Sequence, residues 1–262
     1  MPSDAVLVER DDGVVTLTLN RPDARNAMNV EITEAFSAAV DSLRDDVSVR
    51  AVVVTGAGPA FCAGGDLGWI EPGPGASVPD MRRKMRSFYP RFLGVRSLDV
   101  PAVAAINGAA VGAGLCLALA CDIRVASTEA KLSAPFTRLG MHPGMAATFL
   151  LTRLVGTARA AELLFTSRSI TGAEAERIGL VNRATSSDLV LADALEVARE
   201  IAANAPIPMG MTKRAIYLAE RADMETMLEY EGLAQPITLA TSDLMEGLTA
   251  FRERRSPDFE GK

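Results

Sequence analysis

Strands that run into glycine turns and then helices predict a wound α/β fold for this 262-residue chain. Three observations carry the prediction. Val15, Leu17 and Leu19 alternate with Thr16 and Thr18, the period of a half-buried strand. Ala51 to Asp66, AVVVTGAGPAFCAGGD, leads a buried-type apolar strand into glycines, and PAVAAINGAAVGAGLCLALACD at 101 to 122 does so again. With 48% hydrophobic residues, the chain can bury one large core and carry an appendage.

After the first strand, Asn29 is placed to cap a helix whose Ile32, Phe36, Val40 and Leu43 recur at helical spacing. Val52 to Thr55 makes the next strand. Residues 71 to 80, EPGPGASVPD, hold four prolines or glycines in their first five positions and are expected to form a mobile loop beside the site. In the 101 to 122 segment, Pro101, Asn107-Gly108, Gly112 and Gly114 mark off a short strand, a turn and a short helix. The pattern restarts at Ile123, and no strand is expected after Val181. Val190, Ala194, Val197 and Ile201 mark a helix, Pro206 and Pro208 interrupt it, and helical sequence fills most of 209 to 255. The expected division is a core over 1–200 and a helical region over 201–262.

Composition excludes several classes of function. A net charge of −6 leaves no basic stripe for nucleic-acid phosphates. The local runs at 81 to 86 and 252 to 255 read as solvated helix faces or as contacts for a small anion. Cys62, Cys116 and Cys121 lack metal-ligand spacing, so reduced thiols and no metal site are expected. The N-terminal MPSDAVLVERDDG has no basic segment followed by an apolar run, so a cytoplasmic chain without a secretory signal is expected. No charge lies between Asp99 and Asp122, but the turn residues there argue against a membrane span.

Helical sequence follows Gly112 directly, which leaves first-turn N–H groups without intrahelical partners. The glycines after Cys62 let a second backbone segment approach a ligand, and two converging N–H donors can hold an oxyanion. With these two turns, NRPDARNAMN (20–29), FCAGGDL (61–67), LGMHPG (139–144), GLVNR (179–183) and EGLTAFRERRSPDFEGK (246–262), the chain resembles the crotonase superfamily of enoyl-CoA hydratases and isomerases. The resemblance covers nearly the whole chain. It implies an α/β crotonase-like spiral of ββα units, followed by helices that build trimers or dimers of trimers, which makes 201–262 an oligomerisation region. It also implies an acyl-CoA ligand and no other cofactor, with Ala63 and Ala113 as the oxyanion donors. Ala24, Arg25, Ala27 and Ala63, Gly64, Gly65 and Asp66 would hold the coenzyme A portion, while Phe259 and Lys262 would reach the nucleotide of a neighbouring subunit.

Hydratases of this family carry two glutamates, and the matching positions here are Cys116 and Phe136. A phenylalanine transfers no proton, and a cysteine on the apolar helix LCLALAC behaves as a small hydrophobe. Asp66 reads as a helix N-cap. His142, the only histidine, lies in GMHPG just beyond the second vacant position and titrates near neutrality, which makes it either a proton carrier or a structural residue. Glu71, Tyr89, Glu129 and Glu246 are further polar groups among which the sequence does not choose. Two functions follow: an enzyme of fatty-acid or related acyl-CoA metabolism that stabilises a thioester enolate, or a non-catalytic acyl-CoA carrier or sensor.

Overall fold

A computed structural model describes residues 4–262. The chain starts with an antiparallel hairpin of Val6–Asp11 (β1) and Val14–Leu19 (β2). Asp12 and Gly13 both have positive φ at its tip, the geometry that matches strand twist in a two-residue turn. The helix Val30–Ser42 (α1) follows, and the Asn29 side chain accepts the Ile32 N–H at 3.1 Å. Ile32, Phe36 and Val40 face the core on one stripe.

The chain then lays down two strands and a helical segment three times in succession. The first turn has Ala51–Gly56 (β3) and Ala60–Cys62 (β4), then the helices Leu67–Ile70 (α2) and Val78–Leu93 (α3). The second has Ala102–Ile106 (β5), Ala109–Val111 (β6) and Ala113–Ala120 (α4). The third has Ile123–Ser127 (β7), Lys131–Ser133 (β8) and Ala147–Thr166 (α5). Ile170–Thr171 (β9), Gly172–Arg177 (α6), Arg183–Thr185 (β10) and Val190–Ala202 (α7) close the core, and Pro206–Ala219 (α8), Met224–Leu239 (α9) and Ser242–Glu253 (α10) follow. The first strand of each pair joins a six-stranded sheet ordered β1-β2-β3-β5-β7-β10, and the second joins a four-stranded sheet ordered β4-β6-β8-β9. Within these turns the neighbouring strands are parallel, with Val52 opposite Ala102 and Val103 opposite Ile123. This is the ββα spiral.

Alternation along β3 shows why that strand is apolar throughout. Val52 and Val54 enter the main core, whereas Ala51 and Val53 enter a second core against Val190, Ala194 and Ala198 of α7. A strand covered on both faces has no solvent side to spend on polar residues. Each fully buried valine contributes roughly 1.5–3 kcal/mol by leaving water.

The structure departs from the sequence expectation in three places. The Ala51 to Asp66 segment and the 101 to 122 segment each hold two strands rather than one, because β4 and β6 are three-residue pieces with no alternation to read. A strand does follow Val181: β10 pairs parallel with β7, with Arg183 opposite Val125. Asn182 fixes it there, donating its N–H to the Arg124 carbonyl at 2.9 Å and accepting the Arg124 N–H on its side chain at 3.0 Å. The loop expected over 71 to 80 ends sooner, since Ser77 and Asp80 form a capping box that makes Val78 the first residue of α3.

The helical region docks on the core through charge. Lys213 of α8, 5% exposed, sits 2.9 Å from the Asp122 carboxylate and donates to the Val100 carbonyl at 2.9 Å. Tyr217 of the same helix donates to the other Asp122 oxygen. A buried ammonium is tolerable only with such partners. The C-terminal residues close back on α10, where the Asp243 carboxylate accepts the N–H groups of Glu260 and Gly261, each at 2.9 Å. Among the described residues no helix is long and apolar enough to cross a membrane.

Candidate functional site

Gly64 and Gly114 explain how the two glycine turns come together. A Cβ on Gly114 would lie 2.3 Å from the Cys62 carbonyl oxygen, so only glycine lets α4 pack directly on the end of β4. Gly64 has φ +96°, and a Cβ there would meet the Val111 carbonyl oxygen at 2.6 Å and the Ala113 nitrogen at 3.5 Å. The turns therefore touch backbone to backbone. Buried Asn26 holds the first turn from behind. Its amide donates to the carbonyls of Ala57 at 2.9 Å and Ala60 at 2.8 Å, and its oxygen accepts the Arg21 N–H at 2.8 Å. Asn26 is thus the structural centre of the NRPDARNAMN segment, a role that depends on carbonyls some thirty residues away in sequence.

The backbone hydrogen bonds decide which N–H groups of the two turns are free. The Ala63 N–H is spent on the Arg25 carbonyl at 2.9 Å, so it is not available to a ligand. Met28 instead pairs with the turn on both sides of Gly65, donating to the Gly64 carbonyl at 2.7 Å and accepting the Asp66 N–H at 3.0 Å. Gly65 is left in between with an N–H that no described residue accepts. At the other turn, Ala113 is the first residue of α4, and its N–H likewise has no partner among the described residues. The available pair is Gly65 and Ala113.

Both residues line a cavity of about 720 Å³. Ala24, Ala27, Ala63 to Leu67 and Val111 to Ala113 form one side, and Trp69, Ile70, Met85, Phe88 and Tyr89 form another. Pro135, Phe136, Leu139, Met141, His142, Gly144 and Met145 complete it. The Trp69 and Phe88 rings lie 4.3 Å apart, and the Lys84 ammonium sits 4.3 Å from the centre of the Trp69 ring. A site of this size with apolar walls and few polar groups fits a small organic ligand.

The structure gathers most of the residues singled out from sequence. Ala24, Ala27, Ala63, Gly64, Gly65, Asp66, Ala113, Phe136 and His142 all line the cavity, whereas Arg25 does not. Arg25 turns the backbone with φ +50° and lends its carbonyl to Ala63. Asp66 caps α2 by accepting the Gly68 N–H at 3.1 Å and lies 3.9 Å from the Arg21 guanidinium. Phe136 is buried with its ring against the Gly112 turn, 3.8 Å from where a Cβ on Gly112 would stand. His142 sits exposed at the rim, with Nδ1 2.8 Å from the Pro143 carbonyl oxygen. Phe259 and Lys262 lie elsewhere in the chain: Phe259 offers its carbonyl to Arg50 at 2.9 Å, and Lys262 pairs with Glu260 at 3.0 Å.

Cys116 lies one helical turn beyond Ala113 and is fully enclosed. Burial pushes its thiol up to about 12, which leaves no thiolate near neutrality. Its sulfur points to the Gly144 carbonyl at 3.7 Å. Cys62 is held up to about 12 by the same cause, and all three cysteines are free thiols. Among the four polar groups left open by the sequence, folding brings only Tyr89 to the cavity. Glu246 is tied up by Arg255 and the Asp258 N–H, which hold its carboxyl down to about 2. Tyr89 reaches the site from α3, and its sole sequence signal is its place on the apolar stripe with Met85, Phe88 and Phe92. Among the described residues no three His, Cys, Asp or Glu side chains form a group able to hold a metal ion.

The family model for enoyl-CoA hydratase/isomerase matches residues 9–262. The mitochondrial methylglutaconyl-CoA hydratase of Mus musculus is 37% identical over 261 residues, covering 98% of this chain and 82% of that protein. The 1,2-epoxyphenylacetyl-CoA isomerase of Escherichia coli K12 is 34% identical over 98% of each chain. The crystal structure of an enoyl-CoA hydratase from Bacillus anthracis superposes with a TM-score of 0.93 at 35% identity, covering 98% of this chain and all of that one. With the spiral, the paired glycine turns and these matches in agreement, the chain belongs to the enoyl-CoA hydratase/isomerase family of the crotonase superfamily.

Proposed function

We propose that this protein binds an acyl-CoA thioester in the 720 Å³ cavity and stabilises the negative charge of its enolate oxygen between the N–H groups of Gly65 and Ala113. One observation carries the reading: two touching backbone turns each present an unused N–H at the same apolar cavity. Paired donors of this kind matter most where charge develops during a reaction, which favours an enzyme. A second reading, a carrier or sensor of acyl-CoA, is supported by the groups beside those donors: among the described residues the carboxylate there, Asp66, serves as a helix cap, and Cys116 and Phe136 transfer no proton near neutrality. Calorimetric titration with butyryl-CoA tests the common ground. Saturable binding is expected, and a folded protein that binds no acyl-CoA would overturn both readings.

Assembly belongs to the same proposal. No residue of α9 is buried in the single chain, and Met224, Leu228, Leu233, Ile237 and Leu239 on it are all exposed. A soluble helix with this much bare apolar surface needs a partner, and a second and third copy would cover it. The helices after α7 would thus form the oligomerisation region of a homotrimer or dimer of trimers, soluble in the cytoplasm. Light scattering is expected to give a trimer or hexamer mass at micromolar concentration. A monomer of 27.7 kDa would refute this, and with it the placing of Lys262 at a neighbour's nucleotide.

A further inference from the structure

A second cavity, of about 360 Å³, lies towards the other end of α4 and shares no lining residue with the first. Ala113 opens α4 on the first cavity, and Leu119, six residues on and so roughly 9 Å along the axis, lines the second. Most of its wall is hydrocarbon. Leu150 and Leu154 of α5, Ile201 of α7, and Met209 and Ile216 of α8 surround the space with Leu119. A cavity of this size and lining suits a small organic ligand.

Four cations and two acids also line it, and two of the cations are already spent. Lys213 is neutralised by Asp122, while the buried Arg124 gives its Nε to the Leu180 carbonyl at 2.8 Å and its Nη1 to the Cys121 carbonyl at 2.7 Å. Arg96, just after α3, and Arg153 of α5 remain. Both pair with Glu220, at 2.7 and 3.7 Å, and among the described residues no other acid pairs with either. Each guanidinium also lies 3.7 Å from the centre of an aromatic ring, Arg96 over Tyr217 and Arg153 over Phe149, which limits its freedom. Two cations that share one carboxylate leave a positive charge unmet.

We propose that this second cavity binds a straight-chain aliphatic carboxylate, with its chain among the leucines and isoleucines and its head group at Arg96 and Arg153. Both halves of the site fix the ligand class. An inorganic anion would meet the guanidiniums but leave the apolar wall uncovered, and a neutral hydrocarbon would cover the wall but leave the charge unmet. A planar guanidinium matches a carboxylate with two parallel N–H groups. The inference does not depend on what the first cavity holds.

Octanoate is the probe. Calorimetry on the wild-type protein is expected to show saturable binding, with affinity rising about fourfold for each methylene added from hexanoate to octanoate. Octylamine, the same chain with the opposite charge, should bind at least tenfold more weakly. Arg153→Gln is expected to lower octanoate affinity by roughly tenfold, whereas Glu220→Gln, which removes the competing carboxylate, should raise it. Octanoate held in the first cavity would ignore both changes, because neither residue lines that cavity. Affinity unchanged in either folded variant would therefore overturn the inference. So would a wild type that binds no octanoate, the result expected if a neighbouring copy of the chain fills the space. Should Arg153→Gln not fold, Glu220→Gln carries the test alone.

Discussion

Crotonyl-CoA is expected to be hydrated by this protein at a rate roughly four or more orders of magnitude below that of a relative with both hydratase glutamates, since each acid-base group is worth about two to four orders. The addition needs one group to orient and deprotonate water and another to protonate the α carbon. At the two matching positions the structure has a thiol that stays protonated far above neutrality and a phenyl ring laid against the Gly112 turn. Of the other titratable groups on the cavity wall, Asp66 is committed to the start of α2 and His142 sits at the exposed rim beside its own Pro143 carbonyl. Tyr89 holds its proton and does not activate water. The oxyanion donors alone still leave a small residual rate. Loss of the enoyl absorbance would report the reaction, and turnover on the order of hundreds per second, that of a fast enzyme, would show that another residue has replaced the glutamates. A rate gained by Cys116→Glu combined with Phe136→Glu in a folded protein would show instead that the scaffold lacked only its acid-base pair.

How much of this is legible in the sequence follows from the range of the interactions involved. Strands with a long apolar run, such as Val52 to Val54, and helices with a full stripe and a cap, such as the one after Asn29, signal themselves within a dozen residues. β4, β6 and β10 do not, because three residues carry no period and only their neighbours in the sheets make them strands. The site divides along the same line. Glycines in sequence mark where backbone approaches backbone, and Ala113 opens a helix, so both turns are readable. Motif position alone points to the N–H of Ala63, two residues before the one at Gly65 that the fold leaves unpaired. What separates them is a single bond from Ala63 to Arg25, across almost forty residues of chain. In sequence Tyr89 is one of four equal candidates, and only α3 carries it to the cavity wall.

Replacing Ala113 by proline is expected to weaken the grip on an enolised thioester by about a hundredfold, the effect of deleting one preorganised donor from an oxyanion site. Proline removes the one N–H at this position that the fold does not use, so no hydrogen bond of α4 is lost. The first helical position also accepts the fixed φ of proline. Strain enters through the preceding residue, since Gly112 has φ 54° and ψ −117°, outside the range favoured before proline, and through the close approach of Gly64 to the Ala113 nitrogen. Ala113→Gly supplies the comparison, because it keeps the N–H and removes only a methyl group that lines the cavity. Acetoacetyl-CoA reports the outcome through the near-ultraviolet absorbance of its enolate, whose oxygen carries the charge that Gly65 and Ala113 are placed to meet. Strong enolate absorbance in the wild type and Ala113→Gly, with little in Ala113→Pro, is the expected pattern. An S-alkyl thioether of coenzyme A, which has no carbonyl oxygen, should bind the wild type and the proline variant alike. If the proline variant folds, as circular dichroism would show, and still binds the enolate as the wild type does, the charge is held elsewhere and the paired turns are structural alone. If it does not fold, absence of enolate absorbance in the wild type would equally show that the two turns do not hold the charge.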